Sequence, residues 1–176
     1  MALMVGGNGS HPDEVPRPVM TFNSPLEAGL RAVVLLAAGF PDSFDLTRLV
    51  VLDHLLVHTG DVGGPESLHP PVPLRAGELL VRRPLIERGL LLMMTRDLVE
   101  RETKADGIGY IAGEGATPFL DVIESDYLRA LRDRAGWLVE NVGVLPDEDL
   151  RALVRATFDP WTEEFQTGEQ SAGVFP

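Results

Sequence analysis

The amino-acid sequence predicts a mainly α-helical fold with one small β-hairpin. Three observations carry that expectation. Apolar residues recur at helical spacing in several stretches bounded by cap and stop residues. One stretch, LVERET followed by GIGYIAG, reads instead as two β-prone runs around the turn Lys104-Ala-Asp-Gly107, where Gly107 can take a positive φ. Composition is ordinary for a folded chain: 176 residues, 44% hydrophobic and 24% charged, enough to enclose a real core.

The stretch Arg75 to Gly113 organises the remainder. An apolar-periodic run from Ala76 to Arg83 is expected to stop at Pro84, and a second to run from Leu85 to about Asp97. The hairpin follows. Helix, turn, helix and hairpin is the order of a winged helix-turn-helix. The predicted architecture is therefore a winged helix-turn-helix-like domain with flanking N- and C-terminal helices. The expected organisation is a flexible segment at 1–20, the domain at 21–141, and a C-terminal helix with a polar tail at 142–176.

Each element has its own signals. Met1 to Met20 is rich in Gly and Pro, and Thr21-Phe-Asn23 is a candidate entry strand. Ser24, Pro25 and Glu27 form a capping-box pattern for a helix reaching about Ala38, ended by Gly39 and Pro41. Its apolar residues cover most of the circumference near the C-terminal end, so it should be buried on more than one side. Asp45 caps a helix from Leu46 to His58 that has almost no polar face and should lie mid-domain. Thr59 to Leu74 is a long loop whose four prolines argue for stiffness. In the Leu85–Asp97 helix, Leu90, Met93, Met94 and Leu98 suit the core, and the opposite face carries Arg88, Leu91 or Leu92, and Thr95. After the hairpin, Thr117-Pro118 opens a long helix ending near Asn141-Val-Gly143. Asp147 caps a last helix, Glu148 to Phe158, which Pro160 stops. The tail beyond is polar, with Trp161, Phe165 and Phe175 as isolated aromatics.

Charge narrows the function. The net charge is −12, which opposes a protein built mainly to hold nucleic acid, since phosphate contacts supply most such affinity. The segment Arg75 to Lys104 is the exception, with seven basic and five acidic residues. Arg82, Arg83, Arg88 and Arg101 are its candidate phosphate contacts. A DNA-reading helix offers polar side chains to base edges. Here leucines flank one arginine and one threonine, which favours protein contact through Leu91, Leu92 and Thr95, joined by Trp161 and Phe165. There is no cysteine, hence no disulfide framework or thiolate metal site, as suits a reducing cytoplasm. No apolar run reaches the ~20 residues of a membrane span, and no secretory signal is expected.

Catalytic chemistry has weak support. His54 and His58 share a helix face, and Asp61 and His69 could complete a metal site from the loop. HExxH is not matched, because Asp53 stands beside His54. The plainer reading is that these groups cap the helix end and pin the loop, and no metal ligand is assigned. GDVGGP lacks both Walker and dinucleotide spacing. Ser67 near His69 has no nucleophile elbow around it. The expectation is a non-enzymatic protein without a cofactor.

Three stretches resemble the type 2 middle component of bacterial ABC three-component systems. They are FNSPLEAGLRAVVLL (Phe22 to Leu36), LDHLLVHTGDVGGPESLHPPVPLRAGELLVRRPLIERGLLLMM (Leu52 to Met94) and GIGYIAGEGATPFL (Gly107 to Leu120). Together they span nearly all of Thr21 to about Asn141. HTGDVGGPESLHPP is the most specific part, because no generic fold requires it. The resemblance implies a cytoplasmic, non-enzymatic accessory subunit that links an ABC- or SMC-like ATPase to an effector, in defence against phage or plasmids. It also implies analogy to the winged-helix accessory subunits of SMC complexes, and makes Gly60 to Pro71 the signature surface. DNA contact would be weak or indirect, there would be no membrane contact, and a homodimer is open. Two other readings compete. A stand-alone winged-helix transcription regulator predicts a homodimer and an operator. A metal-dependent hydrolase would use His54, His58, Asp61 and His69.

Overall fold

The computed structural model describes residues 24–71, 75–105 and 107–158. The elements over these residues are six helices and a three-stranded antiparallel sheet. The expected lead-in, the Thr21–Asn23 strand, the stop at Pro160, and the tail with Trp161, Phe165 and Phe175 lie outside the described residues.

Helix α1 spans Pro25–Gly39. Ser24 Oγ accepts from the Glu27 amide at 3.2 Å, and the Glu27 carboxylate accepts from the Ser24 amide at 3.1 Å. The predicted capping box is therefore formed, satisfying two amides that the helix cannot. From Ala32 to Leu36 every residue is buried, as the all-round apolar pattern requires. Strand β1, Phe44–Asp45, is two residues long and was not foreseen. Asp45 then caps α2, Leu46–Val57, its carboxylate accepting from the Arg48 amide at 2.8 Å. All nine residues from Leu49 to Val57 are buried, so α2 is the central helix.

A single 3-10 turn, Thr59–Val62, follows and closes at Gly63, whose φ of 74° is left-handed. Helix α3 runs unbroken from Arg75–Met94 with Pro84 inside it. This corrects the expected stop at Pro84: the helix-turn-helix placed within Arg75–Asp97 is one helix. The proline removes one backbone hydrogen bond. Pro84 itself faces solvent. Ile86, Leu90 and Met93 on the other side are buried and hold the helix on course. Its end is a Schellman motif: Leu98 donates to the Met93 carbonyl and Asp97 to that of Met94, with Asp97 at φ 57°.

Strands β2, Val99–Lys104, and β3, Gly107–Ala112, form the predicted hairpin, with Lys104 opposite Gly107 and Val99 opposite Ala112. β3 is central, since β1 pairs its other edge through Phe44–Tyr110 and Asp45–Gly109. The long helix expected from Thr117 is two helices. α4, Ala116–Asp121, is separate from α5, Asp126–Leu138, because Ser125 caps α5 by accepting from the Leu128 amide at 3.4 Å. A π-helical turn, Val139–Gly143, extends α5 to the predicted end. Helix α6, Asp147–Phe158, buries Leu150 and Phe158, with Leu153 and Val154 half-buried.

The core is one apolar cluster centred on α1, α2 and α3, covered by α5 and flanked by the sheet. The α1–α3 contact is the most extensive between helices. It is made backbone to backbone, since a Cβ on Gly89 would lie 2.6 Å from the Gly29 nitrogen.

Candidate interaction surfaces

The buried polar groups come first, because they separate structural side chains from available ones. Asp53 of α2 is fully buried and accepts two arginines. Arg31 of α1 donates through Nε at 2.6 Å and through its second guanidinium nitrogen at 3.1 Å, and Arg82 of α3 donates at 2.6 Å. One carboxylate thus ties three helices together. Burial works against the Arg31 charge, but the charge and hydrogen bonds of Asp53 prevail and raise its pKa above the ordinary value. Arg82 is only 7% exposed. This corrects its reading as a phosphate contact, because its guanidinium is turned inward to Asp53. Nothing in the sequence beside Asp53 or Arg31 announces the triad. The one signal is an arginine on an otherwise apolar helix face.

The histidines pack against one another at the end of α2. His54 is buried, its ring centroid 4.7 Å from that of His58 and 5.0 Å from Phe158 of α6. His54 Nε2 stands 3.9 Å from the Asp61 carboxylate. His69 turns away to Tyr127, with its Nε2 3.0 Å from the hydroxyl. Burial, then the charges of Arg31 and Arg82, push the His69 pKa down, and burial raises that of Tyr127. Among the described residues no three His, Asp or Glu side chains converge to hold a metal. Ser67 Oγ accepts from the Gly60 amide at 3.1 Å and does not meet His69 as a base.

The loop after α2 is tied down at several points between Thr59 and His69. Leu68 and His69 both donate to the Val57 carbonyl, and Thr59 Oγ1 donates to the Pro65 carbonyl at 2.7 Å. Arg134 of α5 donates to the Glu66 carbonyl, and Gly64 lies so close to the Trp137 ring that a Cβ would be 2.5 Å from it. The most distinctive stretch of the sequence is thus a brace between α2 and α5.

Helix α3 differs from these regions. Arg82, Ile86, Gly89, Leu90 and Met93 form its buried stripe at helical spacing. Val81, Pro84, Arg88, Leu91 and Thr95 form an exposed stripe, with Val81 72% and Leu91 62% accessible. Leu92 is half-buried at its border. Arg83 and Arg88 are exposed on α3, and Arg101 is exposed on β2 opposite Tyr110. Arg83 reaches Thr47 Oγ1 at 3.3 Å and lies 3.8 Å from Glu87. Trp161 and Phe165 lie outside the described residues.

A family model described as ABC-three component (ABC-3C) system Middle Component 2 matches residues 21–164. The chain belongs to that family. No curated protein and no solved structure matches it. A middle component of a three-component system has partner components. No helix among the described residues of this middle component is long and apolar enough to cross a membrane.

Proposed function

We propose that this middle component is a non-enzymatic accessory subunit that joins an ABC- or SMC-like ATPase to an effector, in cytoplasmic defence against phage or plasmids. The observation that carries this reading is the outer stripe of α3. Folding needs one buried stripe on a helix, and α3 has it in Ile86, Leu90 and Met93. Val81, Pro84 and Leu91 add a second apolar stripe that the described residues leave in solvent. An uncovered apolar face on a subunit with partner components suits a binding surface. The histidines and Ser67 are engaged in packing and hydrogen bonds, which favours a structural role for them over a catalytic one.

A winged-helix analogy to SMC accessory subunits is kept in shifted form. α2 and α3, joined by the long braced loop and followed by β2 and β3, give the order helix, loop, helix, hairpin. Direct DNA contact is a secondary role in this reading, held by Arg83, Arg88 and Arg101 and opposed by the net charge of −12.

The test is co-expression of the tagged full chain with the other components of its system, followed by purification and mass spectrometry. The expected result is an ATPase in stable amounts, lost or much reduced in Leu91→Glu. A homodimer without any ATPase overturns the reading.

A further inference from the structure

A groove of about 1010 Å³ opens where the β1–α2 junction, the β3 end of the hairpin, α3 and the turn after the π-helical segment meet. It lies on other residues than the α3 stripe. Ile108 and Val144, 48% and 65% exposed, present large apolar side chains to it, beside half-buried Tyr110 and Leu145. The carboxylates lining it are Asp42, Asp45, Glu87, Glu102 and Asp147, and the cations are Arg48, Arg83 and Lys104.

The balance of these charges is uneven. Arg48 is held by Asp147 at 2.6 Å and by the Gly143 and Leu145 carbonyls, and Arg83 stands beside Glu87. Among the described residues of the lining, Asp42, Glu102 and Asp45, whose carboxylate also caps α2, then face Lys104 as the remaining cation. Two further features border the groove. The Ser43 hydroxyl is buried in the wall and has no hydrogen-bond partner among the described residues. β1 covers only Gly109 and Tyr110 of β3, so Gly107 and Ile108 pair with β2 alone and their other edge borders the groove.

We propose that this groove takes a short basic segment of a partner component, anchored by an apolar side chain between Ile108 and Val144. The inference rests on the scaffold reading and adds a second contact surface to it. Lysines or arginines of the segment would meet Asp42, Asp45 and Glu102. Its backbone could continue the ladder along Gly107 and Ile108, as strand addition does at an open edge. The same carboxylates repel nucleic acid, and a second copy of this chain brings a further net charge of −12.

The test uses the full chain reconstituted with its system's own components. A photo-crosslinking residue at Ile108, and separately at Val144, reports what lies in the groove. Binding of each partner component is measured for wild type, for Asp42→Lys with Glu102→Lys, and for Leu91→Lys as a control on α3. The expected result is crosslinking to a segment rich in Lys or Arg. Charge reversal should weaken that partner at least about tenfold, with wild-type binding falling as salt rises. If charge reversal lowers the unfolding temperature, Ile108→Ser, which keeps the rim charges, takes its place with the same expectation. Unchanged affinity, or crosslinks to an acidic segment, to nucleic acid or to a second copy, overturns the groove assignment. A wild-type chain that binds no partner component overturns the scaffold reading itself, which separates the two failures.

Discussion

The two faces of α3 differ in what holds them. The inner face touches α1 backbone to backbone at Gly89 and Gly29 and sends Arg82 into a buried triad with Asp53 and Arg31. The outer face carries Val81 and Leu91 into solvent beside Pro84. One helix thus has a side where almost any change in shape or charge is felt and a side the fold does not use. The contrast teaches that apolar character alone does not distinguish core from exposed surface. Commitment to partners within the chain does.

The largest expected effect lies at the centre of the inner face. Asp53→Ala leaves two buried guanidinium groups without this carboxylate, and should cost about 3–5 kcal/mol in denaturant unfolding. A loss under about 1 kcal/mol would show that the triad does not hold the three helices, and the contrast would fail there. Gly89→Ala comes next. Its Cβ would fall 2.6 Å from the Gly29 nitrogen and 2.8 Å from the Pro25 carbonyl, so backbone rather than a flexible side chain must move. A loss of about 1–3 kcal/mol is expected, read as a lower unfolding temperature.

A smaller effect tests the braced loop. The His69 pKa is pushed down in the folded state, so the folded chain takes up this proton less readily than the unfolded one. The contribution of His69 is complete above the ordinary value near 6.5 and is lost as pH falls through the folded pKa. Between about pH 7.5 and pH 5.5 the wild-type unfolding temperature should drop more than that of His69→Gln. Equal drops would remove His69 from the account. The smallest stability effect belongs to the outer face: Leu91→Lys should stay within about 0.5 kcal/mol of wild type. A large destabilisation would mean that Leu91 belongs to the core after all.

Much of this was legible because it is local. Ser24 and Glu27 sit three apart and close the capping box without help from elsewhere. Asp45 caps α2 and Lys104 faces Gly107 across the turn for the same reason. The misplaced break at Pro84 came from treating proline as an absolute stop, when burial on one side and water on the other sustain the helix. The break before α5 was signalled by Ser125 and Asp126 but hidden by apolar periodicity that spans both helices. Arg82 and Arg83 are neighbours in sequence but not in environment. One helical step, about 100°, sends the first inward and the second into water.

The sequence by itself determined the capped starts of α1 and α2, the hairpin and its turn, the deep burial of α1 and α2, and the family, but not the continuity of α3 or the break before α5. Caps, turns and hydrophobic periods act within a few residues, so the chain states them directly. Only the tertiary structure decided that Asp53 gathers two arginines, that the histidines pack instead of converging on a metal, that the glycine-rich loop braces α5, and which leucines remain in water. Those outcomes depend on segments far apart along the chain, as Arg31 and Asp53 or Glu66 and Arg134 are, and local pattern carries no record of the meeting.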